Sequence, residues 1–109
     1  MYVVVAFWGA PGDSDVDEFE KYYFDVHVPL ARRVPGLKRL TLTRTEAGLE
    51  GAKPAFYRVA ELYFESREAL ERSEKSPQWT AMREDAAKMI ERFKVSLTAS
   101  SGAADEEKY

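Results

Sequence analysis

Tyr2-Val3-Val4-Val5-Ala6-Phe7-Trp8 is an unbroken apolar run of β-branched and aromatic residues, closed by Gly9-Ala10-Pro11-Gly12. It reads as a strand followed by a loop. The run does not alternate polar with apolar positions, and a strand apolar on both faces is usually buried on both. The rest of the chain must then cover two sides of one sheet.

Downstream, Asp13-Ser14-Asp15 supplies helix-capping side chains, and Asp17 and Glu18 put negative charge in a first turn. Val16, Phe19, Tyr23, Val26 and Leu30 recur at spacings of three and four, which predicts one helical face. Pro29 lacks an N–H and crowds the carbonyl of Asp25, so the helix is expected to break or kink there, with a short second helix starting at Pro29. Pro35-Gly36 ends that piece. Leu37 to Glu46 reads as a strand, Ala47 to Pro54 as a loop, and Ala55 to Glu65 as a third strand. In the third strand Phe56, Arg58, Ala60, Leu62 and Phe64 share one face, with Tyr57, Val59, Glu61 and Tyr63 on the other. Ser66 caps a short helix and Ser76-Pro77 opens another, whose apolar stripe is Trp79, Met82, Ala86, Met89 and Phe93. Alternation over Arg92 to Ala99 predicts a fourth strand.

Strand, helix, strand, strand, helix, strand is the split βαβ order of an α+β, ferredoxin-like domain, with both helices on one face of a four-stranded antiparallel sheet. Two helices leave the second apolar face bare. A symmetric homodimer with the sheets face to face covers it and would enclose a partly wet cavity for each protomer.

With 109 residues the chain suits one domain, read as 1–99 followed by a loose acidic tail over 100–109. Its 16 basic and 19 acidic residues give a charge of -3 with no basic block, which argues against nucleic acid as a partner. Absence of cysteine removes disulfides, thiolate metal sites and a cysteine nucleophile. The apolar run after Met1 is too short to span a bilayer and lacks a signal-peptide layout, so a soluble cytoplasmic protein is expected. A single histidine and no cysteine leave no cluster with metal-ligand spacing. No Gly-x-Gly-x-x-Gly marks a nucleotide site. No cofactor is expected; His27 alone would offer haem an axial ligand.

His27, in Asp25-Val26-His27-Val28-Pro29, is the sole histidine, and its type changes charge near neutral pH. Two roles fit it: a general acid–base catalyst at a cavity mouth, or a helix-end residue bonding a carbonyl freed by Pro29. Trp8, Tyr57, Glu61 and Tyr63 are the candidate pocket residues, as apolar wall and hydrogen-bond donors to a developing oxyanion, or simply as packing. Arg58, on an otherwise apolar face, is expected to snorkel or to pair with an acid such as Asp25.

The stretch Phe19 to Leu37, centred on His27-x-Pro29-Leu30 and Pro35-Gly36-Leu37, with the Asp85-Ala86 step of the last helix, resembles the EthD family of dimeric α+β barrels. Some relatives carry a second histidine where this chain has Val26. The resemblance implies a small enzyme, labelled oxidoreductase or reductase, in a superfamily that includes cofactor-free monooxygenases, lactone isomerases, polyketide cyclases and haem-dependent enzymes. Fold does not choose among these. The combined expectation is His27-assisted proton transfer on a small apolar organic molecule by isomerisation, cyclisation, dehydration or cofactor-free oxidation. Its rival is a non-catalytic binding or accessory protein for an oxidative degradation pathway.

Overall fold

The computed structural model describes residues 1–108. Four strands, β1 (Tyr2–Trp8), β2 (Leu37–Arg44), β3 (Arg58–Phe64) and β4 (Leu97–Ala103), form one antiparallel sheet in the order β2-β3-β1-β4. Helices α1 (Val16–Tyr22), α2 (Val28–Arg32), α3 (Arg67–Glu74) and α4 (Pro77–Phe93) complete a ferredoxin-like α+β fold. No helix among the described residues is long and apolar enough to cross a membrane.

Period-two alternation decides which residues face the helices. On β3, Arg58, Ala60, Leu62 and Phe64 are buried while Val59, Glu61 and Tyr63 are half-buried. On β1, Trp8 packs with Phe19, Tyr23, Met89 and Phe93 in the main core. The opposite face carries Val3, Val5 and Phe7, in register with Tyr63, Glu61 and Val59. No helix of the described residues covers it. Ser66 and Ser76 cap α3 and α4, each Oγ accepting a backbone N–H at 3.1 Å. Gly36, at φ 81°, supplies the left-handed turn that leads from α2 into β2.

Two elements depart from the sequence reading. The last helix runs to Phe93, and β4 begins at Leu97 rather than Arg92. Phe93, Val95 and Leu97 fit a strand's alternation, but Phe93 also continues the helical stripe of Met82, Ala86 and Met89, and burial against Phe19 decides for the helix. Lys94, in a left-handed conformation, then stops it. The ordered unit also passes the boundary expected at 99. Ser100 to Ala103 pair with Val5 to Tyr2, and the Ala104 N–H donates to the Met1 carbonyl at 2.9 Å. These small residues carry no strand signal; the open edge of β1 recruits them. Of the expected tail, Tyr109 lies outside the described residues.

Candidate functional site

Between α1 and α2 the chain does not break at Pro29. Residues Tyr23–His27 form a π-helical turn, in which the Val28 N–H reaches back to the Tyr23 carbonyl, and α2 starts at Val28. The widened turn accommodates a proline ring that would otherwise crowd the carbonyl four residues earlier. It also adds a residue to the turn and so rotates the inward face. Val26, expected in the core, is 38% exposed, whereas His27, Val28 and Ala31 are buried. The π turn thus brings a histidine inward where an α-helix would have placed Val26.

There His27 Nδ1 lies 2.9 Å from Asp85 Oδ2 of α4. The second carboxylate oxygen accepts the Tyr22 hydroxyl at 2.5 Å. Asp85 is 5% exposed and takes the Tyr22 hydroxyl on one oxygen; the other oxygen faces Nδ1, and we assign the imidazole proton to Nδ1, donating to it. Nε2 has no partner among the described residues and is the nitrogen left free. The ring is fixed on two sides, edge-on to Trp8 with centroids 5.4 Å apart and stacked on Tyr23 at 6.0 Å. The role of bonding a carbonyl freed by Pro29 is not what the ring does.

Burial, the largest influence, pushes the His27 imidazole below its ordinary value. The Asp85 hydrogen bond and charge oppose this, while Arg83 adds to the lowering. His27 is therefore a neutral base at neutral pH. The hydrogen bond to Asp85, followed by burial, raises the Tyr22 phenol to about 12. Burial raises Tyr23 to about 12 against the pull of Arg58. Both phenols stay protonated.

Because the unfolded chain takes up the His27 proton at a higher pH than the folded one, protonation favours unfolding. The stability concerned is fully present above the unfolded value, about pH 6.5, and is lost as pH falls through the depressed folded value. Urea midpoints are expected to drop as pH falls below about 6.5 in the wild type and to drop less in His27→Gln. Equal slopes in the two proteins would place the acid sensitivity elsewhere.

His27 and Trp8 line a cavity of about 360 Å³ between the sheet and the helices, walled by Leu42, Leu62, Met82, Ala86 and other apolar residues. A largely apolar pocket of this size with a few convergent polar groups is the usual form of a small-molecule site. It lies on the helix side of the sheet, whereas the cavity expected between two paired sheets would lie on the opposite face, which bears Glu61. Tyr57, Glu61 and Tyr63 do not line it. Glu61 and Tyr63 project from the opposite face, where Glu61 accepts the Tyr63 hydroxyl at 3.0 Å and the Thr41 hydroxyl at 2.9 Å. Tyr57 precedes β3 and escapes its alternation: its ring packs edge-on against Phe19 and its hydroxyl donates to Glu20 at 2.9 Å.

Glu20 also takes the guanidinium of buried Arg58, through Nη2 and through Nε at 3.1 Å. Asp25, the partner suggested by sequence, instead pairs with Lys21 at 3.6 Å. Burial opposes charge on Glu20, but hydrogen bonds from Arg58 and Tyr57, with the charges of Arg58 and Arg44, hold its carboxyl below the usual range. Arg58 in turn lies over the rings of Tyr23 and Phe24, at 5.3 and 5.0 Å from their centroids. It thereby buttresses the tyrosine stacked on His27.

Sequence reasoning missed Asp85 and Tyr22 as parts of the site. One signal was available: Asp85 is a carboxylate within the apolar stripe of α4, three residues from Met82 and four from Met89.

Residues 12–92 match the EthD domain. An ethyl tert-butyl ether D (EthD) family protein from Bacillus halodurans C-125 superposes with a TM-score of 0.83 at 28% identity, over 96% of this chain and 99% of that one. An uncharacterized 11.0 kDa protein from the thcB-thcC intergenic region of Rhodococcus erythropolis is 36% identical over 67 residues. That match covers 62% of this chain and spans 62% of the relative's length. SnoaB, a cofactor-independent oxygenase from Streptomyces nogalater, shares the fold at a TM-score of 0.62 and 18% identity, over 97% of this chain and 95% of its own. With the domain match extending over most of its length, the chain belongs to the EthD family.

Proposed function

We propose that the protein binds a small, largely apolar organic molecule in the cavity and moves a proton on it with His27 as the base. The observation that carries this reading is the Asp85–His27 pair. A buried carboxylate fixes the proton on Nδ1 and leaves a neutral Nε2 free on a ring that lines an apolar cavity. Nε2 would take a proton from an acidic C–H or O–H, and the bonding electrons would pass to the adjoining carbonyl or aromatic system. Asp85 stabilises the imidazolium so formed. Returning the proton to another atom completes an isomerisation, cyclisation or dehydration. Reaction of the carbanion with dioxygen would give cofactor-free oxidation, an activity that SnoaB has by name on the same fold.

The protein acts, on this reading, as a homodimer, with the half-buried apolar residues Val3, Val5, Phe7, Val59 and Tyr63 on the face no helix covers turned toward a second copy. Sedimentation that reports a 12.4 kDa monomer at all concentrations would remove this part of the proposal.

Because His27 is the only histidine, its ring signals need no assignment. An NMR titration is expected to show a value below 6.5, and the ring signals are expected to shift when small aromatic or lactone compounds bind. His27→Gln should keep ligand binding and lose turnover by about 10²–10⁴-fold. Turnover that survives the substitution excludes His27 as the base. Binding without turnover in the wild type, unaffected by the substitution, would identify a carrier or accessory protein instead.

A further inference from the structure

The walls of the cavity are largely apolar, with the hydroxyls of the exposed Ser100 and Ser101 among the few polar groups at its edge. The lining side chains that carry a formal charge are Arg83 of α4 and Glu74 of α3, both exposed, which places them at the mouth. Arg83 is exposed, yet it lies on the side of its helix that lines the cavity. It belongs to the stripe Trp79, Met82, Arg83, Ala86, all of which line the cavity at spacings of three and four. Neither Arg83 nor Glu74 has a salt bridge among the described residues, and the two are not paired with each other. A guanidinium with a planar fork of donors therefore stands at the rim of an apolar chamber with no acceptor of its own.

We propose that the ligand of this cavity is an apolar molecule bearing an acid group, a carboxylate foremost, which docks on Arg83 while its apolar body extends inward toward Trp8 and His27. The proposal rests on the cavity being a ligand site, as argued above, and adds the chemical class. Arginine and carboxylate match in charge and in geometry, with two parallel N–H···O bonds. Arg83 and His27 also line the same cavity. A molecule whose acid group is held at Arg83 therefore lays its apolar body in the chamber that the imidazole faces. The charge of Arg83 already bears on His27 in the free protein, which is consistent with that arrangement. Glu74, across the mouth, works against an anion and sets the sign of a second test.

Trp8 and Trp79 both line the cavity, so tryptophan fluorescence reports occupancy. Suitable probes are 4-phenylbutyrate and its methyl ester at neutral pH, identical in apolar body and different in charge. The acid is expected to bind the wild type about five- to tenfold more tightly than the ester, the preference shrinking in high salt because the mouth is wet. Arg83→Gln should bring the acid to the affinity of the ester, Glu74→Gln should strengthen the acid, and the ester should bind all three proteins alike. Equal binding of acid and ester by the wild type, or an acid affinity untouched by Arg83→Gln, overturns the role of Arg83 and leaves the cavity as a site for neutral molecules. If neither probe binds, the reading of the cavity as a ligand site fails, and this inference with it.

Discussion

Asp85→Asn is expected to reverse the tautomer of His27 and to lower turnover by about 10²–10⁴-fold while the fold persists. In the wild type both carboxylate oxygens accept, one from His27 Nδ1 at 2.9 Å and one from the Tyr22 hydroxyl at 2.5 Å. An asparagine has a single oxygen. With Tyr22 still donating to it, the amide NH₂ turns toward His27, Nδ1 must accept, and the ring proton moves to Nε2. The nitrogen that should act as the base is then already protonated. The imidazolium also loses the carboxylate that stabilised it, so the His27 pKa, already depressed by burial, falls further. Imidazole nitrogen chemical shifts distinguish the two tautomers directly and need no substrate. Tyr22→Phe is the matched control: it removes the second hydrogen bond but leaves Asp85 to hold the proton on Nδ1, so the wild-type tautomer should remain. An unchanged tautomer in Asp85→Asn, with turnover within about twofold of the wild type, would show that the His27–Asp85 pair serves packing alone.

The parts of this architecture that follow a simple period are readable from the chain. Arg58, Ala60, Leu62 and Phe64 were assigned to one face by a period of two, and that is the buried face of β3. The α4 stripe from Met82 to Phe93 followed a period near 3.6 and packs as read. The failures fall where the period changes. Counting threes and fours carried the α1 stripe into Val26, because nothing in Tyr23-Phe24-Asp25-Val26-His27 announces an inserted residue, and the π turn appears only once Pro29 must be accommodated within a packed helix. Alternation misplaced β4 because Phe93 satisfies both periods and tertiary burial chose between them. The partner of His27 lies 58 positions away, a separation that local patterns do not encode. What the sequence did carry was a lone acid among the apolar residues of α4, and a charged residue on a buried stripe calls for a partner.

Glu20→Ala should be the most destabilising exchange of a polar side chain outside the cavity, costing about 3 kcal/mol. Arg58 is 5% exposed, its guanidinium packs over the rings of Tyr23 and Phe24, and its only ion-pair partner among the described residues is Glu20. Removing the carboxylate leaves a buried cation whose desolvation nothing offsets, and it strands the Tyr57 hydroxyl as well. The lower end of the usual range of 3–5 kcal/mol applies, because the Glu20 side chain is 18% exposed and water can reach the vacated position. Urea denaturation should show the loss as a midpoint lowered by roughly 1–3 M, given slopes of about 1–3 kcal/mol/M for small domains. The paired exchange Glu20→Leu with Arg58→Met removes both charges together and should restore most of the stability, since an apolar pair of similar volume tolerates burial. A single variant that loses less than about 1 kcal/mol would mean that water already solvates Arg58. The consequence reaches the site as well. Arg58 restrains Tyr23, and Tyr23 stacks on His27, so a Glu20→Ala protein that still folds should give broadened His27 ring signals while Asp85 remains in place.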